Sequence, residues 1–377
     1  MPKVKFGDVV KEVKNKIDRN NNPYEYYVAG DHMDSEDLTI HRRGCFATDD
    51  VGPAFIREFR KGQVLYGSRR TYLKKVAVAD FDGVTANTTF VLETKDQNVL
   101  LQELLPFIML TDNFTKWSIG KSKGSTNPYI LFSDLADYEF DLPTIEEQRK
   151  LATVLWKMFR LKEGYVELQH QSDQLVQSQF IEMFGNDTVG WKYSVVPFST
   201  VGVFTTGGTP SQKDSAEYVG NTPWITTVSL GSNYVDESNA IAFISQQAID
   251  ESATHLIPKN SLMIGIRVGV GKTSINTVPM CTSQDIVSVH SVSPQFSLLF
   301  LKKVVDSYSD YFEENKRGAT IKGIPSTMVK EINIPVVDLD IQKRFEQVVL
   351  QLDKSKFVLQ ETLKYDKISY FSMIKSA

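Results

Sequence analysis

The chain has 377 residues, of which 41% are hydrophobic and 23% charged, a composition typical of a soluble globular protein long enough for two domains. No stretch approaches the roughly 18 apolar residues of a membrane span, and Met1 to Asp8 lack the core of a signal peptide. Two distant cysteines exclude a disulfide framework, so we expect a cytoplasmic protein. The net charge of −4 does not by itself indicate a nucleic-acid binder.

Short apolar runs and two long periodic segments predict the elements. Runs rich in β-branched and aromatic residues predict strands, and longer apolar segments predict helices. In chain order they are strands at Val64–Tyr66 and Thr89–Leu92, helices at Leu100–Leu110 and Ile145–Phe184, strands at Leu262–Ile264 and Asp285–Val289, and helices at Leu298–Glu313 and from about Leu339 to Lys375. This mixture predicts an α+β protein.

The helix predicted from Ile145 to Phe184 has apolar residues at steps of three, four and seven, which is a heptad seam. The seam residues are Leu151, Val154, Met158, Leu161, Tyr165, Leu168 and Leu175. Pro143 precedes the helix, and Gly185 follows it as a C-cap.

The last helix carries a second seam, at Ile341, Phe345, Val348, Leu352, Leu359, Leu363, Tyr370 and Met373. We expect the two helices to form an antiparallel, coiled-coil-like pair, because each would thereby bury its seam. The alternative is that each helix packs on its own domain or on another subunit.

The second half of the chain repeats the first at an offset of roughly 190 to 200 residues, which indicates a tandem duplication. The matching segments are Lys61–Arg69 with Lys259–Arg267, Thr88–Leu92 with Gln284–Val289, Lys123–Thr126 with Arg317–Thr320, and Leu142–Arg149 with Ile334–Lys343. The repeat predicts globular domains at 1–142 and 186–334, and long helices at 143–185 and 335–377.

No segment carries a convincing catalytic motif. Gly265–Thr273 resembles a phosphate-binding P-loop, but Ile266 stands where that motif needs glycine. Asn22-Pro23-Tyr24 and Asn127-Pro128-Tyr129 lack the second proline of the DNA amino-methyltransferase motif, and turns explain them better. The order Asp82…Glu93-Thr-Lys95 resembles a nuclease motif, but such triples arise by chance. The five histidines show no ligand spacing, so we predict no metal site.

Basic clusters recur at equivalent places in the two halves, and they indicate binding. Acids are missing from Phe59 to Ala79 and from Ser252 to Gln284. Such clusters attract DNA phosphates, and arginine can also read guanine. An ordinary solvated surface is the alternative for any single cluster. The predicted DNA-binding cations are Arg69, Arg70, Lys74, Lys75, Lys121 and Lys123 in the first half, and Arg267, Lys272, Lys316, Arg317 and Lys322 in the second.

Several motifs resemble the target recognition domains of Type I restriction–modification specificity subunits. Gly207-Gly208-Thr209-Pro210-Ser211, followed by Pro223-Trp224-Ile225, resembles the opening of such a domain. Gly124-Ser125-Thr126, Leu142-Pro143 and Glu146–Arg149 resemble its close, which Gly318–Thr320, Ile334-Pro335 and Gln342–Arg344 repeat more loosely. The first half lacks the Gly-Gly-Thr-Pro motif. The resemblance adds Gly207, Gly208, Thr209, Ser211 and Lys213 to the predicted DNA-binding residues.

The resemblance implies two recognition domains that each read half of a split, asymmetric target in double-stranded DNA. The paired helices would measure the unread spacer and dock two methyltransferase subunits, through which the restriction subunits join. S-adenosylmethionine, ATP and Mg²⁺ would bind to those partners, whereas this chain would bind no cofactor and catalyse nothing. Two other hypotheses remain: a coiled-coil scaffold without DNA readout, and an enzyme with an unrecognised site.

Overall fold

A computed structural model describes residues 2–210, 219–318 and 322–355 of the chain. The described residues fall into two compact units that divide between Val166 and Glu167, within one continuous helix. The domain boundaries given above stay a prediction. Of the last predicted helix, residues 339–355 are helical, and its remainder lies outside the described residues. In the described part of the chain, no helix is long and apolar enough to span a membrane.

The first unit begins with a short strand and contains two small sheets with helices packed against them. Its strands are β1 Lys3–Lys5, β2 Val10–Val13, β3 Tyr26–Val28, β4 Gly44–Cys45, β5 Phe55–Phe59, β6 Val64–Gly67, β7 Val76–Val78, β8 Gly83–Ala86, β9 Thr89–Thr94 and β10 Glu139–Asp141. Its helices are α1 Phe6–Val9, α2 Leu105–Leu110, α3 Asp112–Lys121, α4 Phe132–Ala136 and the start of α5 Ile145–Phe184.

The second unit comprises the end of α5 and the elements that follow it. The strands are β11 Gly185–Asn186, β12 Gly190–Trp191, β13 Val195–Pro197, β14 Val203–Thr206, β15 Thr222–Ile225, β16 Tyr234–Val235, β17 Ala242–Ile244, β18 Leu256–Ile257, β19 Leu262–Gly265, β20 Thr273–Asn276, β21 Met280–Thr282, β22 Ile286–His290 and β23 Asn333–Pro335. The helices are α6 Gln246–Glu251, α7 Leu298–Asp306, α8 Ser309–Glu314 and α9 Ser326–Glu331.

The sheets of the two units have the same topology. In the first unit the strand orders are β2-β9-β6-β7 and β4-β3-β8-β5. In the second they are β14-β22-β19-β20, extended by β16, and β17-β15-β21-β18. The second sheet of each unit contains one parallel strand pair, which is β3 with β8 in the first unit and β15 with β21 in the second. The tandem duplication predicted from the sequence is therefore present strand by strand.

Helix α5 has the predicted bounds, but its fully buried side chains are not those of the predicted seam, of which Leu151 is partly buried against the core of the first unit. Ala152, Leu155 and Phe159 enter the core of the first unit. Val176, Phe180 and Phe184 enter the core of the second. Seam residues Val154, Leu161, Leu168 and Leu175 are instead 40–49% exposed. Each buried set recurs at steps of three or four residues, but the predicted heptad seam includes neither set.

Within the second unit, the end of α5 packs against the helix at 339–355. The Phe345 ring lies 5.5 Å from the rings of both Phe180 and Phe184. Farther along, burial lowers the pKa of Lys303, and two carboxylates near it oppose this effect: Asp173 on α5 and Asp353 on the helix at 339–355. Residue numbers thus rise along one helix as they fall along the other, which is the predicted antiparallel arrangement.

Two of the shorter predicted helices differ from the structure. The helix predicted at Leu100–Leu110 begins only at Leu105, where Pro106 occupies the first turn that proline favours. The helix predicted at Leu298–Glu313 is broken into α7 and α8 around Tyr308. The Tyr308 hydroxyl donates to the carbonyl of Asn333 at 3.0 Å, so tertiary contacts hold the chain at this break.

A buried glutamine near the start of each long helix fixes that helix to its unit. Gln148 Oε1 accepts from the Leu101 N–H at 2.9 Å, and its Nε2 donates to the carbonyls of Val99 at 2.8 Å and Pro143 at 2.9 Å. Gln342 repeats this pattern with the Ser297 N–H at 2.9 Å and the carbonyls of Gln295 and Val337 at 2.8 and 2.7 Å. Both glutamines are fully buried.

Candidate nucleic-acid interface

Two equivalent hairpin loops present the predicted cations. The loop at 68–75 joins β6 to β7, and the loop at 266–272 joins β19 to β20. Left-handed backbone at Arg70 and Lys74 shapes the first loop, whereas Val268, Gly269 and Gly271 have positive φ in the second. Such irregular loops are where a rigid scaffold carries binding residues.

In the first unit, the loop at 68–75 meets a segment that lies far from it in the sequence. The Ile130 N–H donates to the Ser68 carbonyl at 2.9 Å, and the Arg70 N–H donates to the Pro128 carbonyl at 2.7 Å. Lys123 and Tyr129 exchange two backbone hydrogen bonds of 2.8 and 2.9 Å. The structure thereby joins Arg69 and Arg70 with Lys121 and Lys123, which we call the first cationic cluster.

The second unit repeats this junction with different side chains. The Ile324 N–H donates to the Ile266 carbonyl at 2.8 Å, and Arg317 and Gly323 exchange two hydrogen bonds of 2.9 Å each. Gly323 also forms a bridge with Arg267, just as Tyr129 does with Arg69. The residues joined here, Arg267, Lys272, Arg317 and Lys322, form the second cationic cluster.

The members of both clusters are exposed, and most are not neutralised. Over residues 2–210, 219–318 and 322–355, acidic partners are found for two members. These are Lys123, 3.0 Å from Asp134, and Arg267, 3.8 Å from Asp285, and their cationic side chains remain about half exposed. Unneutralised cations on protruding loops are suited to bind a polyanion such as the DNA backbone.

Three other predicted cations are engaged within their units. Lys74 is half-buried and lies 2.9 Å from Glu36 and 3.2 Å from Asp112, and these carboxylates raise its pKa against the opposing effect of burial. The Lys75 ammonium donates to the Gly30 carbonyl, and Lys316 is paired with Glu313. The contact of these three lysines with DNA stays a prediction, and neither cationic cluster includes them.

The Gly-Gly-Thr-Pro segment follows β14 and packs against the backbone of the second unit. A Cβ at Gly207 would lie 2.2 Å from the Thr282 hydroxyl oxygen, and one at Gly208 would lie 2.3 Å from the Ala253 carbonyl carbon. The two glycines are therefore required for close packing. Thr209 is exposed, whereas Ser211 and Lys213 lie outside the described residues.

The acid-free segment at 59–79 is split by the fold. Arg60 and Lys61 precede β6, whereas Arg69 and Arg70 follow it, so the two pairs lie at opposite ends of one strand. Arg60 is paired with Asp82 at 2.9 Å and Glu58 at 2.7 Å. Lys259, the counterpart of Lys61, likewise precedes β19 and is exposed.

Tyr129 lies within the first cationic cluster and was not predicted as a site residue. Its backbone bridges both Arg69 and Lys123, and the residue is 43% exposed. The Asn127-Pro128-Tyr129 triplet was interpreted only as a turn. The missed signal was the position of this tyrosine within the repeat, where the second unit has Gly323.

The fold shows that the segment from Gly265 to Thr273 is not a P-loop. The segment from Gly265 to Thr273 leads from β19 into β20, whereas a P-loop leads from a strand into a helix. The glycines of this segment instead permit the turn of a hairpin.

The family model described as "Type I restriction modification DNA specificity domain" matches residues 3–167 and again residues 191–368. The chain belongs to this family. The two matches each cover one copy of the repeat and extend into the segment that follows it.

Relatives and a solved structure agree with this family. A Type I restriction enzyme specificity subunit from Methanocaldococcus jannaschii is 25% identical over 166 residues, 43% of this chain and 38% of that protein. Another from Escherichia coli is 29% identical over 180 residues, 45% of this chain and 42% of that protein. The chain thus spans about two fifths of the length of these two relatives.

The solved Type I restriction–modification system S subunit from M. genitalium has a TM-score of 0.60 to this chain at 13% identity. The superposition covers 99% of this chain and 95% of that one. At this identity the likeness concerns the fold, and it confirms the predicted α+β class with tandem domains and long helices.

Proposed function

We propose that this chain is the non-catalytic specificity subunit of a Type I restriction–modification complex and reads two half-sites in double-stranded DNA. The observation that carries the proposal is the recurrence of an exposed cationic cluster at the same end of the same strand in both units. Membership of the DNA specificity family supports it independently.

Within each cluster, we assign the exposed lysines to phosphates and the arginines to phosphates or guanine edges. The two clusters differ where the first has Tyr129 and the second has Gly323. An exposed aromatic residue held among cations can contact a thymine methyl group at a base edge. We therefore propose that Tyr129 contributes to the specificity of the first half-site and has no counterpart in the second.

We further propose that two methyltransferase subunits dock on the long helices and that restriction subunits join through them. Four apolar side chains of α5, at steps of seven residues from Val154 to Leu175, are 40–49% exposed and support a partner there. S-adenosylmethionine, ATP and Mg²⁺ would then act on the partner subunits. A cytoplasmic location follows from this role.

Salt-dependent DNA binding tests the proposed interface. The full chain, with and without the methyltransferase subunit of its host, is titrated with a fluorescent random-sequence duplex at several salt concentrations. We expect two double variants, Arg69→Ala/Arg70→Ala and Arg267→Ala/Arg317→Ala, to show a shallower fall of log K with log salt. The magnitude of the slope should decrease by up to about two units in each. Each lost phosphate contact accounts for about one unit.

The matched controls are Lys61→Ala and Lys259→Ala, which remove exposed cations at the opposite ends of β6 and β19. These variants should keep the wild-type slope. Equal losses per removed charge in both sets would mean that binding follows overall charge. No binding of the duplex in any condition would favour the scaffold hypothesis.

A further inference from the structure

Three side chains of the first unit place potential metal ligands together, although they come from separate segments. Asp37 and His41 lie in the loop before β4, and Glu163 lies on α5. His41 Nε2 is 3.2 Å from Asp37 Oδ2 and 3.7 Å from Glu163 Oε1. The three ligand atoms all lie within 4.8 Å of one another. Histidine spacing along the sequence did not indicate this arrangement.

The loop that carries Asp37 and His41 is held by contacts that do not involve the three ligand atoms. The Thr39 N–H donates to Asp37 Oδ1 at 2.9 Å, which leaves Oδ2 directed towards His41. Leu38 between them is buried in the core, and its carbonyl accepts from the Val78 N–H at 2.8 Å. The ligand positions are therefore preorganised, as a metal site requires.

Glu163 Oε1 supplies a second, independent observation. This oxygen is shielded from solvent and has no hydrogen-bond donor among the described residues, although the Glu163 side chain as a whole is 31% exposed. A shielded carboxylate oxygen without a donor is costly. The cluster places two carboxylates around one imidazole and so concentrates negative charge there. A divalent cation among the three atoms would compensate that charge.

We propose that Asp37, His41 and Glu163 bind a divalent transition-metal cation, with Zn²⁺ the best match. Zinc binds imidazole nitrogen and carboxylate oxygen at about 2.0–2.2 Å, so tetrahedral ligand atoms lie about 3.4 Å apart, close to the two distances observed. Mg²⁺ and Ca²⁺ prefer oxygen ligands alone. The site would join the loop at 36–41 to α5, and it does not depend on the proposed function.

Metal titration of the full chain tests this site. The purified protein is stripped with a chelator and titrated with Zn²⁺ by calorimetry and with Co²⁺ by visible absorption, which reports the coordination geometry. We expect one ion per chain in the wild type. His41→Ala and Glu163→Gln should each weaken binding at least tenfold, because each removes one of three protein ligands. Mg²⁺ should not compete.

The matched control is His170→Ala, since His170 is exposed on the same helix and contacts Gln174, with no carboxylate partner in the described part of the chain. It should bind the metal as the wild type does. A wild type that binds no stoichiometric Zn²⁺ or Co²⁺ would overturn the proposal. So would full binding in both ligand variants, provided that circular dichroism shows all proteins to be folded.

Discussion

The buried side chain of Gln148 allows the attachment of a long helix to its recognition unit to be tested directly. Gln148→Leu keeps the approximate volume of the side chain but removes hydrogen bonds to the Leu101 N–H and to the carbonyls of Val99 and Pro143. The side chain is fully buried, so the substitution itself removes no exposed surface.

The expected loss follows from the environment of these three groups. A buried polar group that loses its partner costs about 1–3 kcal/mol. The bond to Pro143 is buried, whereas those to Val99 and Leu101 are only partly buried, so water can replace part of their contribution. We therefore expect a loss of about 2–5 kcal/mol, a large share of the roughly 5–15 kcal/mol that stabilises a typical domain.

Urea unfolding followed by tryptophan fluorescence measures this loss, because Trp117 and Trp156 report on the first unit. Hydrogen exchange at the Leu101 amide reports the local opening. Gln342→Leu should produce the same loss in the second unit. The control is Gln97→Leu, at an exposed position of the same unit. A Gln148→Leu shift no larger than that of the control would refute the reasoning, since it would show that water satisfies all three groups.

Three further predictions concern single side chains. Tyr129→Ala should relax specificity in the first half-site by about 1–3 kcal/mol while sparing the second, as selection from a random DNA library would show. Gly207→Ala should destabilise the second unit by about 1–3 kcal/mol in urea, because the new Cβ would lie 2.2 Å from the Thr282 hydroxyl oxygen. Cys281 should react with Ellman's reagent at pH 8 only after unfolding, because burial raises its pKa to about 11, whereas the partly exposed Cys45 should react in the native protein. The control for Tyr129→Ala is Tyr311→Ala, which changes an exposed aromatic residue of the second unit. The control for Gly207→Ala is Gly164→Ala, where a Cβ meets open space. The role of Tyr129 would be contradicted by a variant that affects both half-sites. The close packing at Gly207 would be contradicted by a variant as stable as Gly164→Ala. The difference between the thiols would be contradicted by equal reactivity in the native protein.

Elements with strong local signals were predictable from the sequence. Helix α5 has its predicted bounds because its periodicity, the preceding Pro143 and the following Gly185 all indicate the same segment. The duplication was equally visible, since matched segments kept their order and offset. The equivalence of Gln148 and Gln342, inferred from that alignment, is borne out by nearly identical hydrogen bonds.

The sequence by itself therefore determined the periodic and repeated features: two α+β copies, the long helix α5, and the cationic residues at equivalent positions. These features depend on local propensity and on comparison of the chain with itself. Neither requires knowledge of which distant residues meet.

Only the tertiary structure decided which cations share a surface and which are engaged elsewhere. Arg69 and Lys123 meet through backbone bridges to Tyr129, whereas Lys74, from the same basic segment as Arg69, is paired with Glu36 and Asp112. The tertiary structure likewise decided which face of α5 is buried and that Glu163 lies near His41. All of them depend on contacts between segments far apart in the chain, which the packing of the whole unit determines and no local pattern records.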